Sequence, residues 1–99
     1  MKIEFLEFAQ YELDDAVEYY NQQRNDLGSE FLSEVVDSLS RIAEYPNAWQ
    51  QLTDRTRRCL IHRFPYGIIY QNRNDVILVV AVSNLHRKPE HWQSRIENL

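Results

Sequence analysis

One cysteine, Cys59, leaves the chain without an internal disulfide or an all-cysteine metal site. That thiol lies in a stretch of alternating apolar residues and is expected to be buried and inert. Glycine is nearly as scarce, with only Gly28 and Gly67, which excludes a dinucleotide fingerprint or a phosphate-cradling glycine loop. Three prolines and no biased segment argue against disorder over the bulk of the chain. Long apolar runs are missing too. The longest, Val76–Val82, falls far short of the roughly 20 residues needed to span a bilayer. Between Met1 and Glu7 acids stand where a secretory signal needs a plain apolar run. A soluble, cytoplasmic protein with no membrane partner is therefore expected. No serine-nucleophile motif occurs, and no histidines and carboxylates stand at metal-binding spacing, so neither a cofactor nor a metal is expected.

What is present suffices for one core. Ninety-nine residues with 43% apolar side chains predict a single domain over residues 1–99. Net charge is −4 and very unevenly placed. Residues 1–50 hold three basic side chains (Lys2, Arg24, Arg41) against eleven acids, a net of −8; residues 51–99 hold eight against four, a net of +4. An acidic protein can thus carry a local cationic face.

Periodicity supplies the elements. Ile3 and Phe5 alternate within Lys2–Phe8, a short strand. Leu13, Ala16, Val17 and Tyr20 then recur at helical spacing across Ala9–Arg24, with Glu12, Asp15 and Glu18 on the solvent side. Asn25 and Asp26 break the pattern and are expected to cap the next helix through their side chains. That helix, about Leu27–Glu44, presents Phe31, Val35, Leu39 and Ile42, with Leu32, Val36 and Ala43 widening the stripe. Pro46 stops it. Two such helices joined by a short turn make an antiparallel hairpin. Tyr11, Tyr19, Tyr20, Tyr45 and Trp49 are expected to pack that hairpin and its exit.

After Pro46 the period changes to two. Thr56–Phe64 predicts a strand with Leu60, His62 and Phe64 on one face and Cys59 and Ile61 on the other. Pro65-Tyr66-Gly67 marks a bend or bulge before the strand Ile68–Tyr70, and Asn72–Asp75 a hairpin turn. Val76–Val82 is apolar at both parities, as befits a central strand covered on both faces. A short helix, Pro89–Asn98, closes the chain. The fold class is α+β, a β-α-α-β-β-β order. A helical hairpin packs on a mainly antiparallel twisted sheet, and a short C-terminal helix follows.

Local motifs in this order resemble the ParE/RelE toxin superfamily, and its ParE branch in particular. Glu12-Leu13-Asp14-Asp15-Ala16 with Tyr19-Tyr20 is similar to the family's first helix. Leu27-Gly28-Ser29-Glu30-Phe31 and Ile42-Ala43-Glu44-Tyr45-Pro46 resemble the ends of its second. Arg57-Arg58 through Phe64-Pro65-Tyr66-Gly67-Ile68-Ile69-Tyr70 is similar to its central hairpin. His86-Arg87-Lys88-Pro89, Trp92 and Arg95 resemble its C-terminal segment.

The resemblance implies the toxin of a type II toxin–antitoxin system of the plasmid-stabilisation kind. It would be silenced by a cognate antitoxin, in a toxin–antitoxin hetero-oligomer, through an extended segment that orders on the toxin's surface. For the ParE branch the implied target is DNA gyrase, with replication blocked and no catalytic residue in the toxin. The working surface would be the sheet edge and C-terminal segment. Arg57, Arg58, Arg63, Arg87 and Arg95 would supply charge there, and Tyr66 and Trp92 apolar anchors. For the RelE branch the target is the ribosome with its mRNA, and the chemistry is endonucleolytic. Arg58, Arg63, His86 and Arg87 would then stabilise phosphate charge and move protons. RelE-like relatives usually carry an arginine where Gly67 stands here. A third reading is a degenerate module that binds its antitoxin and is not toxic. His62 is expected to be structural, and His91 to lie at the surface.

Overall fold

The computed structural model describes residues 1–97. Strand β1 (Lys2–Phe5) runs almost directly into helix α1 (Glu7–Gln23). Leu6 joins them: its N–H continues the strand ladder to the Val79 carbonyl, while its own carbonyl accepts from Gln10. The helix thus starts two residues before Ala9. Ala9, Leu13 and Ala16 form its buried stripe.

Helix α2 (Leu27–Glu44) buries Gly28, Phe31, Val35, Ser38 and Ile42, one face at helical spacing. Asp26 precedes it with φ 65° and makes no side-chain cap bond, contrary to the expected capping by Asn25 and Asp26. A capping side chain works from extended backbone, which a left-handed residue does not have. The Gly28 N–H is instead satisfied by Asn21 Oδ1 on α1, at 2.8 Å. A Cβ on Gly28 would stand 2.3 Å from the Val17 carbonyl oxygen, so the missing side chain lets the two helices touch at backbone level.

The remaining strands are β2 (Gln50–Gln51), β3 (Arg57–Leu60), β4 (Tyr66–Arg73) and β5 (Val76–Asn84), followed by helix α3 (Glu90–Ile96). They assemble in the order β1-β5-β4-β3-β2, all neighbours antiparallel except β1 with β5. β2 has only two residues and no apolar alternation, which is why periodicity passed over it. The expected end of the last helix at Asn98 lies outside the described residues.

The bulge sits in the β4–β5 ladder, away from Pro65–Gly67. Ile69 pairs with Ala81 and Tyr70 with Val79, leaving Val80 as the extra residue. Side-chain parity flips there. Ile77, Val79 and Val82 join the core under α1 and α2, while Val80 and Ala81 face the opposite side with Ile69 and Trp92. This explains the two-parity apolar run, because β5 is covered by the hairpin on one face and by α3 on the other. β3 is shorter than expected, since Arg63 turns the chain with φ 73° and Tyr66-Gly67 already belong to β4. Leu60 and His62 are consequently exposed, and only Phe64 of that expected face is buried.

Tyr20, Phe31, Phe64 and Tyr66 form an aromatic knot between the hairpin and the sheet, with ring centroids 4.8–6.1 Å apart. Tyr70 donates to the Pro46 carbonyl at 2.6 Å, and burial pushes its hydroxyl up to about 12. Cys59 is buried, and desolvation raises its thiol, consistent with an inert core residue. Tyr11, Tyr19 and Tyr45, expected to pack the hairpin, are exposed, as are Leu32 and Val36. No helix among the described residues is long and apolar enough to cross a membrane.

Candidate functional site: a cationic cleft under the C-terminal helix

Ion pairing divides the cations into two groups. Lys2, Arg24, Arg41, Arg63 and Arg95 each pair with a carboxylate of the acidic first half. Arg55, Arg57, Arg58, Arg73, Arg87 and Lys88 make no ion pair among the described residues. Five of these six line clefts, at opposite ends of the sheet. The positive half of the sequence thus becomes two separate surfaces rather than one.

One cleft, of about 170 Å³, lies between the sheet and α3. Its apolar wall is Leu52, Ile69, Leu85, Pro89 and Trp92, and Arg58 and Arg87 bring charge to it. β3 alternation aims Arg58 at this face, because Cys59 beside it points into the hairpin core. The arginine lies across Gly67: a Cβ there would be 2.9 Å from Arg58 Cδ and 3.0 Å from its Cγ. The stem of Arg58 therefore lies where a side chain at position 67 would begin. Arg58 Nη2 donates to Gln50 Oε1 at 2.8 Å, while its buried Nε has no hydrogen-bond partner. Arg87 is exposed and also lines a shallower hollow with Tyr19, Tyr66, Glu12 and Asp15. Among the described residues lining the α3 cleft there is no carboxylate, histidine, lysine or thiol.

Of the other expected site residues, only Trp92 also borders this cleft. Arg57 donates to the Trp49 carbonyl and lines the far cleft. Tyr66 is half-buried in the aromatic knot, and Trp92, only 4% exposed, holds α3 against Ile69, Val80 and Ala81. Neither ring is a free anchor in this conformation. Arg95 forks onto Glu12, with contacts of 2.7 and 3.1 Å. His86 lines neither cleft; its backbone N–H donates to Asn84 Oδ1. His62 is exposed, 3.5 Å from Arg41, rather than a strand residue.

Arg63 is tied to Glu30 on α2 at 2.8 Å, and Arg24 holds the same carboxylate at 2.9 Å. Hydrogen bonds from Arg63 first and Arg24 second keep the Glu30 carboxyl below its ordinary value of 4.5. A depressed carboxylate stabilises the fold above its unfolded pKa and loses that contribution as pH falls through the folded one. Glu30→Gln is therefore expected to lower stability at neutral pH. The gap should shrink as pH drops below 4.5 and close at lower pH, as urea melts across a pH series would show.

Periodicity missed Glu12 and His91. Glu12, assigned to the solvent face of α1, bridges to the far side of β5. It accepts from the Val82 N–H at 3.1 Å and binds Arg95, with His91 Nε2 3.5 Å away. His91, expected at the surface, is pinned by the Lys88 carbonyl and faces Ser83. The only available hint was that α3 brings an arginine and a histidine at i, i+4 spacing with no acid opposite them in the local sequence.

The model of the ParE toxin family, the toxin of type II toxin–antitoxin (parDE) systems, matches residues 3–89. The chain belongs to the ParE toxin family. That agrees with the resemblance carried by its motifs, within the ParE/RelE superfamily and toward the ParE branch. Helix α3 lies beyond the matched residues. The chromosomal ParDE system from P. aeruginosa contains a similar fold, with a TM-score of 0.73 and 12% identity, covering 85% of this chain and 95% of that one. The isolated E. coli RelE toxin is a more distant match in fold, with a TM-score of 0.53 and 13% identity over 99% of this chain and 98% of that one. No curated protein sequence matches significantly. This ParE-family chain thus shares its architecture with a ParDE system and with the RelE toxin.

Proposed function

We propose that this chain is the cytoplasmic toxin of a type II toxin–antitoxin pair, and that it stops growth by binding DNA gyrase and blocking replication. It works as a single binding domain with no catalytic residue of its own. The observation that carries this reading is the α3 cleft. An apolar wall with arginines at its side is the composition of a protein-binding surface. Its described lining offers no group to exchange protons with a ribose hydroxyl or a leaving oxygen near neutral pH. The nuclease set of Arg58, Arg63, His86 and Arg87 is also dispersed, since Arg63 is held by α2 and His86 stands outside the cleft. Exposed Tyr11, Leu32 and Val36 on the hairpin offer apolar area for the antitoxin.

Purified toxin added to gyrase, plasmid and ATP is expected to accumulate linear DNA on denaturation. Arg58→Glu with Arg87→Glu should weaken this by about tenfold or more, the loss of one hot spot. In cells, pulse labels should show DNA synthesis falling before protein synthesis. Gyrase untouched in vitro, with translation stopping first in cells, would replace this reading with the ribosome-dependent nuclease.

A further inference from the structure

The second cleft, about 360 Å³, lies at the opposite end of the sheet and has a different chemistry. It is a notch in the sheet edge. β3 begins at Arg57, opposite Tyr70, whereas β4 continues through Gln71, Asn72 and Arg73 with no β3 partner. The turn before β3 forms the other wall and is firmly built. Thr56 is fully buried, shares a 2.6 Å hydrogen bond with the Thr53 hydroxyl and donates its N–H to it at 3.1 Å. That turn presents Arg55.

Three arginines line the notch, from the turn (Arg55), β3 (Arg57) and β4 (Arg73). Two of them are anchored by one nitrogen each. Arg57 Nη1 donates to the Trp49 carbonyl at 2.8 Å, and Arg73 Nε to Gln71 Oε1 at 2.9 Å. Their other donors remain for a ligand, and the anchoring lowers the entropic cost of engaging one. With Asp54 as the sole acid among the described lining residues, three positive charges against one negative leave +2.

We propose that this notch binds a phosphodiester of a nucleic-acid backbone. Every described residue lining it is polar or charged, with no aromatic or aliphatic side chain to anchor a protein. Such a surface suits nucleic acid, whose interfaces are more polar and more positive than those between proteins. Guanidinium forks match phosphate oxygens bidentately. The whole chain carries −4, so outside the notch's +2 it carries −6, and its acidic half repels a polyanion. The two clefts then divide the work, one gripping protein and the other a nearby phosphate. The notch itself holds with or without gyrase as the target.

The test is fluorescence anisotropy of a short labelled DNA duplex with the full chain, across a salt series and without gyrase. Weak binding at low salt is expected, with a log–log salt slope of about −2 to −3, near −0.9 per phosphate neutralised. Arg55→Gln and Arg73→Gln, both on exposed side chains, should each reduce that slope by about 1. Arg58→Gln and Arg87→Gln should leave it unchanged, and thermal melts would verify that all four variants fold. No binding at low salt would overturn the proposal, and so would slopes indifferent to Arg55 and Arg73. Displacement of the DNA by a glutamate-rich peptide of equal charge would do the same, in favour of an acidic protein ligand. Because gyrase is absent, neither result bears on the gyrase reading.

Discussion

Glu12→Ala is expected to destabilise the protein by about 3–5 kcal/mol, the cost of removing one partner from a buried ion pair. The side chains of Glu12 and Arg95 are only 16% and 14% exposed, so solvent screens the pair little. Two groups lose their partner together. The Arg95 guanidinium is left with the Val80 carbonyl at 3.2 Å, and the Val82 N–H is left with no acceptor. That second loss shows what the pair does. β1 lines β5 only as far as Val79, so Val80–Val82 is an uncovered sheet edge. Glu12 accepts from one edge amide and Arg95 donates to one edge carbonyl, so the two side chains stand in for the missing strand. Arg95→Ala should cost less, because Glu12 keeps its bond to Val82. Denaturant melts of both single variants and the double would measure the coupling. Changes below about 1 kcal/mol in both singles would mark the contact as a screened surface pair instead.

Elements that depend on one periodicity were readable from the sequence, and those that depend on two segments meeting were not. The helical stripe through Phe31, Val35 and Ile42 and the apolar run Val76–Val82 express local patterns, and both elements form as expected. The bulge at Val80 cannot be found that way, because it belongs to the register between β4 and β5. Gly67 carries the clearest lesson. Taken alone, its missing side chain removes a cation from the sheet face. In the fold it is space that the stem of Arg58, on the neighbouring strand, lies across. The site residues divided for the same reason. Arg58 and Arg87 meet in one cleft, whereas Arg63 and Arg95 were claimed by Glu30 and Glu12 from the acidic half. Net charge by halves indicated a cationic surface without showing which cations the acids would neutralise.

Trp92→Ala should have an effect of similar size but a different form. Removing a buried tryptophan typically costs about 3–5 kcal/mol. Here α3 has seven residues, and among its described side chains Trp92 is the one buried in the far-face cluster, with Ile96 partly buried beside it. A helix so short has no stability of its own in water. Its docking energy is therefore smaller than the loss, and α3 should leave the sheet before the rest of the fold opens. The cleft would lose its wall of Pro89 and Trp92, and the β5 edge would lose Arg95, while the aromatic knot under the hairpin stays intact. Hydrogen exchange should then speed up in residues 80–97 and stay slow in α1 and α2, with the denaturation midpoint shifted by less than a full core deletion implies. Under the proposed function, antitoxin binding should persist while gyrase inhibition is lost. Uniformly faster exchange in α1 and α2 would instead mean that Trp92 supports the whole core, and that α3 is no separable part of the target-binding surface.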